Sequence, residues 1–175
     1  MYDKQNFKKV CSFCVSDLHL ITMLLPYLDK KTKEEEKFIT ISQKNLTEEV
    51  KLVLSRLTLN DESKNELMNI DWNSNDMSKY EIMEENLNNV CNNKRKISII
   101  VNGSKEYIEN VNNNLNRFFE NNRIHSIVKI INCYDITKLD DDIKDILRTH
   151  DIILNTSGEK EISEVFEGYE KRKYA

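Results

Sequence analysis

Short unbroken apolar runs alternate along this chain with longer stretches in which apolar residues return every three or four positions. "VCSFCV" (10 to 15) is such a run, stopped by Ser16-Asp17; from Leu18 to Leu28 the apolar residues then fall at helical spacing. The pattern predicts a strand followed by a helix, with Ser16 or Asp17 as the N-cap. "KFITIS" (37 to 42) predicts a second strand, and "NLTEEVKLVLSRL" (45 to 57) a helix whose Thr47, Glu48 and Glu49 place a cap and acids at the positive end of its dipole. A short segment around Asn69 to Trp72 reads as a third strand, and residues 78 to 90 as a helix with Tyr80, Met83, Leu87 and Val90 in one stripe.

"ISIIV" (97 to 101) is the clearest buried strand. Gly103 and Ser104 turn the chain into a helix carrying Tyr107, Ile108, Val111, Leu115, Phe118 and Phe119. "HSIVKII" (125 to 131) predicts a strand, "LDDDIKDILRTH" (139 to 150) a helix and "DIILN" (151 to 155) a last strand. Near-continuous Ile and Val in strands that alternate with helices mean a largely parallel sheet covered on both faces. The expected class is α/β, doubly wound.

Beyond the last strand, Ile162, Val165, Phe166 and Tyr169 are spaced i, i+3, i+4 and i+7. They predict an amphipathic connector helix within residues 158 to 175, following a domain of residues 1 to 157. Such a helix either packs back on the domain, pairs with a second chain as a homodimer, or leads to an output module.

Composition narrows the function. The chain has 175 residues, 39% hydrophobic and 32% charged, enough for one sizeable core and too few for two ordinary domains. A net charge of -4 argues against nucleic-acid binding, which relies on a basic surface that neutralises phosphates; the nearest basic cluster is Lys94-Arg95-Lys96. No apolar run reaches a bilayer's span and "MYDKQNFKKV" has no signal-peptide core, so a cytoplasmic chain without membrane contact is expected. Three glycines and one proline leave no flexible linker.

The stretch "KKVCSFCVSDLHL" offers a CxxC and a histidine. A redox CxxC opens a helix, whereas Cys11 and Cys14 fall inside the predicted first strand. Residues three apart on a strand point to opposite faces, so these two thiols cannot grip one metal ion, and they read as buried structural residues. His19 reads as structural or solvated. The first strand-to-helix turn, "CVSDLHL", has no glycine, which excludes the phosphate cradle of a P-loop, and no GxGxxG occurs. No metal and no cofactor are expected. Arg148 and His150 in "LRTH" fall where a helix ends, and helix C-terminal capping accounts for them on pattern alone. "LDDD" reads as an acidic first helical turn.

The first strand and helix, the run "NCYDITKL" and above all "DILRTHDIIL" resemble the MEDS sensory domain, the input module of methanogen and methylotroph regulators. The resemblance covers residues 9 to about 154, carried by Pro26, Tyr27 and Leu28, by Tyr134 and Asp135, and by Leu147 to His150. It departs at Lys9, at Cys14, at "KKTKEEEK" and at Asn102-Gly103-Ser104, which lacks the family's glycine-glutamate pair. It implies a RecA/KaiC-like α/β fold without the phosphate-binding loop, serving as the sensor of a histidine kinase in a two-component system, or ahead of a DNA-binding module.

In open α/β sheets, ligands sit outside the carboxyl ends of the strands. The expected ligand-binding residues are therefore Ser16, Asp17, Ser42, Asn102, Ser104, Tyr134 and Asp135, with Gln43, Gly103 and Asn155 to Ser157 on the same rim, and Arg148 and His150 added from the resemblance. No catalytic residue is expected. The expected function is a non-catalytic sensor of a small-molecule or protein signal. A protein-docking module and a degenerate nucleotide-binding domain are the alternatives.

Overall fold

A computed structural model describes residues 7–74, 77, 79–91, 96–122 and 126–166. The chain runs β1 (Phe7–Cys14), α1 (Asp17–Thr32), β2 (Lys37–Ser42), α2 (Thr47–Arg56), α3 (Asp61–Met68), α4 (Tyr80–Cys91), β3 (Lys96–Asn102), α5 (Lys105–Asn121), β4 (Ile127–Asp135), α6 (Ile143–Thr149), β5 (Ile152–Asn155), β6 (Gly158–Glu161) and the single turn α7 (Ile162–Val165). The strands form one sheet in the order β2-β3-β4-β1-β5-β6. Every pair is parallel except β5 with β6. The doubly wound α/β class holds.

Strand periodicity divides the core in two. Cys11, Ile99, Val101, Ile130 and Tyr134 pack under α4, α5 and α6, whereas Val10, Cys14, Ile100, Ile131 and Cys133 pack under α1, α2 and α3. Cys11 and Cys14 therefore lie on opposite faces, and all four cysteines are free and buried. Helices α1, α2 and α3, which follow β1 and β2, cover one face, while α4, which leads into β3, and α5 and α6, which follow β3 and β4, cover the other. The chain thus changes face at the carboxyl ends of these strands, which is where an open sheet leaves a crevice.

The Ser16 side chain caps α1 by accepting from the His19 backbone N–H at 3.1 Å. Pro26 lies within the helix; it and Thr22, whose carbonyl it leaves without the usual donor four residues on, are both exposed. In α5, Tyr107, Ile108, Val111, Leu115, Phe118 and Phe119 are all buried, as their spacing predicts. Among the described residues no helix is long and apolar enough to cross a membrane.

Several segments differ from expectation. Residues 69 to 72 form no strand: Trp72 is buried beside α1 and α3, its indole N–H donating to the Leu67 carbonyl at 2.8 Å. The segment crosses the β2 edge instead, with Thr40 donating to the Asp71 carbonyl and Trp72 accepting from Leu46 N–H. Helix α3 is capped by Asn60 and buries only Ser63 and Leu67, too few apolar positions to show in the pattern. Strand β4 runs unbroken to Asp135; His125 lies outside the described residues. Val90 adds no described side chain to the α4 stripe.

The largest departure is at the carboxyl-terminal end. Residues 158 to 161 are strand, not helix, joined to β5 by the two-residue turn Thr156-Ser157. Gly158, at φ 99°, supplies left-handed backbone directly after the turn, the place that a G1 bulge gives to glycine. Glu159 fixes the hairpin to the body: its carboxylate accepts from Tyr27 Oη and from Lys129 Nζ, each at 2.5 Å. Helix begins only at Ile162, which is buried; Val165 and Phe166 are exposed, and Tyr169 lies outside the described residues.

Candidate functional site

The turns after β1, β2, β3 and β4 enclose a cleft of about 290 Å³. Ser16, Asp17, Asn102, Ser104, Tyr134 and Asp135 line it, as the strand-end rule predicts, together with Gln43 and Gly103. Cys14, Leu20, Lys44, Lys105, Glu106, Lys138 and Leu139 complete the wall. These follow the predicted positions by a few residues or lie beneath them, so the same rule applied one turn further would have reached most of them.

The cleft is tightly built at its β3 side. Gln43 N–H donates to the Asn102 carbonyl at 2.9 Å, and the Gln43 side-chain oxygen accepts from Ser104 N–H at 2.8 Å, joining the ends of β2 and β3. A Cβ on Gly103 would stand 2.6 Å from the Tyr107 ring and 2.8 Å from that same oxygen, so glycine is required for close approach. Ser104 caps α5 by accepting from Tyr107 N–H. Ser42 lies just below the surface, donating to the Lys44 carbonyl at 2.6 Å and accepting from Asn102 Nδ2 at 3.4 Å. It supports the wall without lining it.

At the β1 side the turn is closed by its own residues. His19 Nδ1 accepts from Val15 N–H at 3.1 Å, and Ser16 Oγ accepts from His19 N–H. The Val15 and His19 amides are thereby used within the turn itself. The lining charges also cancel. Lys44 pairs with Asp17 at 3.6 Å, Lys138 with Asp135 at 3.9 Å, and Lys105 with Asp142 at 2.9 Å and Glu109 at 3.6 Å.

Three ionisable groups of the cleft are displaced away from neutral pH. Burial pushes the Cys14 thiol up to about 12, against a smaller opposing pull from Ser12. Burial likewise raises the Tyr134 phenol above its ordinary value. The Thr137 hydroxyl, hydrogen-bonded at 2.5 Å, holds the Asp135 carboxyl below the usual carboxylate range. A general base works best near the operating pH, and these three are displaced away from it. Among the described residues no group of three or more His, Cys, Asp or Glu could hold a metal ion.

Arg148 and His150 do not belong to this cleft. Arg148 is half-buried and lies near Asp145, at 3.9 Å. His150 precedes β5, next to Asp151, whose N–H meets the carbonyl of Lys9 well below the strand ends, and it is 3% exposed. Its Nδ1 lies 2.6 Å from the Ile146 carbonyl, which can only accept, so Nδ1 carries the proton and caps α6. Nε2 then accepts from Asn132 Nδ2 at 3.0 Å. Asn132 and Asn112 exchange reciprocal amide bonds at 2.8 and 3.1 Å, and Asn112 donates its other N–H to the Ile108 carbonyl. This buried chain ties α6, β4 and α5 together, and the Tyr134 ring stands edge-on to His150 at 6.0 Å. Asn155, Thr156 and Ser157 lie around another hollow, beside α1 at the hairpin turn.

Compared with known proteins, the chain matches no family model, no curated protein and no solved structure.

Proposed function

We propose that this chain is a sensory domain that recognises a small polar molecule in the strand-end cleft and performs no chemistry on it. The observation that carries the reading is the cleft itself: ringed by balanced charges over an apolar wall, set where the sheet changes face, with the Val15 and His19 amides bonded within the first turn. The resemblance of "DILRTHDIIL" and "NCYDITKL" to the MEDS sensory domain supports the same reading and suggests the input role in a histidine kinase. A ligand shifts such a domain only by its difference in affinity between two states, and the chain after β6 is the proposed route outward. Thermal unfolding of the whole chain against a panel of metabolites and nucleotides tests this. A ligand at a hundred times its Kd adds about 2.7 kcal/mol to stability, and a panel with no stabilising member overturns the reading.

A second reading, a protein-docking module, is favoured by the adjoining exposed Val165 and Phe166, at 41% and 36%. A homodimer through this segment is the simplest form. Light scattering should then show a dimer that Val165→Asp with Phe166→Asp converts to monomer; a wild-type monomer removes this form.

A further inference from the structure

Three exposed apolar side chains leave the molecule at one place. Val15, Leu18 and Ile136 are 58%, 40% and 37% exposed. Cys14 and Asp135 stand opposite each other at the ends of β1 and β4; Val15 and Ile136 follow them directly, and Leu18 stands in the first turn of α1. Single exposed apolar residues are ordinary on a protein surface, whereas a group of them inside a polar rim marks a place that meets another molecule. The group borders the mouth of the cleft, whose wall includes Cys14, Leu20 and Leu139, but lies outside its lining.

Charge around the group says what that molecule is. Asp17 pairs with Lys44 and Asp135 with Lys138, while Asp142 holds Lys105. Asp140 and Asp141, a few residues beyond Ile136, are exposed and have no ion pair among the described residues. The patch is therefore edged by two uncompensated carboxylates. Nucleic acid and an anionic bilayer both present negative charge and would be repelled. A two-fold pairing with a second copy would bring a second set of the same acids to the patch. A partner that is apolar on one side and basic at its edges meets both features, and an amphipathic helix presents them at i, i+3 and i+4.

We infer that Val15, Leu18 and Ile136 dock a basic amphipathic helix of a partner protein, its apolar side on these three residues and its lysines or arginines against Asp140 and Asp141. This holds whether or not the cleft takes a small ligand. The test is calorimetric titration of the full chain with a synthetic peptide of about four helical turns built from leucine and lysine, and with its leucine and glutamate counterpart. The lysine peptide should bind, less tightly as salt rises, and the glutamate peptide should bind at least about tenfold more weakly. Val15→Ser with Ile136→Ser should weaken the lysine peptide more than about tenfold, because two apolar side chains no longer bury. Leu52→Ser with Ile82→Ser, which removes exposed apolar residues of α2 and α4, should leave its affinity unchanged. Asp140→Asn with Asp141→Asn should weaken it several-fold and flatten the salt dependence. All six side chains are exposed, so the melting temperatures should stay near wild type. Binding of neither peptide, or equal effects of the patch and control variants, overturns the docking. Vesicles of phosphatidylcholine and phosphatidylglycerol bound by wild type and not by the patch variant would give the patch to a membrane. A wild-type dimer that the patch variant splits would give it to a second copy, and either result overturns the inference.

Discussion

Replacing Phe118 by alanine should destabilise the fold by about 3–5 kcal/mol, the cost of deleting a fully buried aromatic and leaving a cavity. Phe118 is 0% exposed, and its ring meets the edge of Phe119 at 5.3 Å, while Phe119 in turn meets Phe7 of β1 at 5.6 Å. The site joins α5 to the sheet through rigid rings that cannot collapse into the void, so the cost should fall in the upper half of that range. Urea unfolding should show a lower midpoint with an unchanged slope. A loss below about 1 kcal/mol would mean that α5 is not packed on the sheet as described.

Asn132→Leu should cost nearly as much, for a different reason. Leucine matches asparagine closely in shape, so little packing is lost, but His150 Nε2 loses its donor and Asn112 loses both a donor and an acceptor. Each buried polar group that loses its partner costs about 1–3 kcal/mol, so the three together span about 3–9 kcal/mol, and side-chain relaxation should hold the loss to the lower half of that span. Asn112→Leu added to Asn132→Leu should cost at least about 1 kcal/mol less than the two single losses combined, because the second change removes groups that the first had orphaned. Strict additivity in equilibrium unfolding would show that the two amides do not form one unit.

The elements that could be read from the sequence are those whose own residues decide them. "ISIIV" can satisfy its apolar run only between two covered faces, and the α5 stripe is wide enough to demand a core whatever its neighbours do. Helix α3, "DESKNELM", buries so little that its cap at Asn60, rather than any stripe, marks it. "GEKE" carries the charged, helix-tolerant residues of a solvated helix, and it becomes strand because β5 offers an unpaired edge two residues away. Its charges also suit an outer edge, where they discourage pairing with another sheet.

The lining of the cleft was legible for the same kind of reason. Ser16, Asp17, Asn102, Ser104, Tyr134 and Asp135 follow from locating strand ends, which needs only the run lengths. His150 was misplaced because its partners, Asn112 and Asn132, are separated from it by 38 and 18 residues, and nothing local announces a buried amide pair. The resemblance drew Arg148 and His150 toward the ligand site, whereas the register of β1 and β5 puts His150 beneath it.

The grip of Tyr27 and Lys129 on Glu159 has a mechanical meaning. Through it the outermost hairpin is bolted to a helix on one face and to a strand near the sheet's middle. Residues 162 to 166 are therefore mounted on an abutment: where the chain leaves the sheet is set by the positions of α1 and β4 as much as by its own strand.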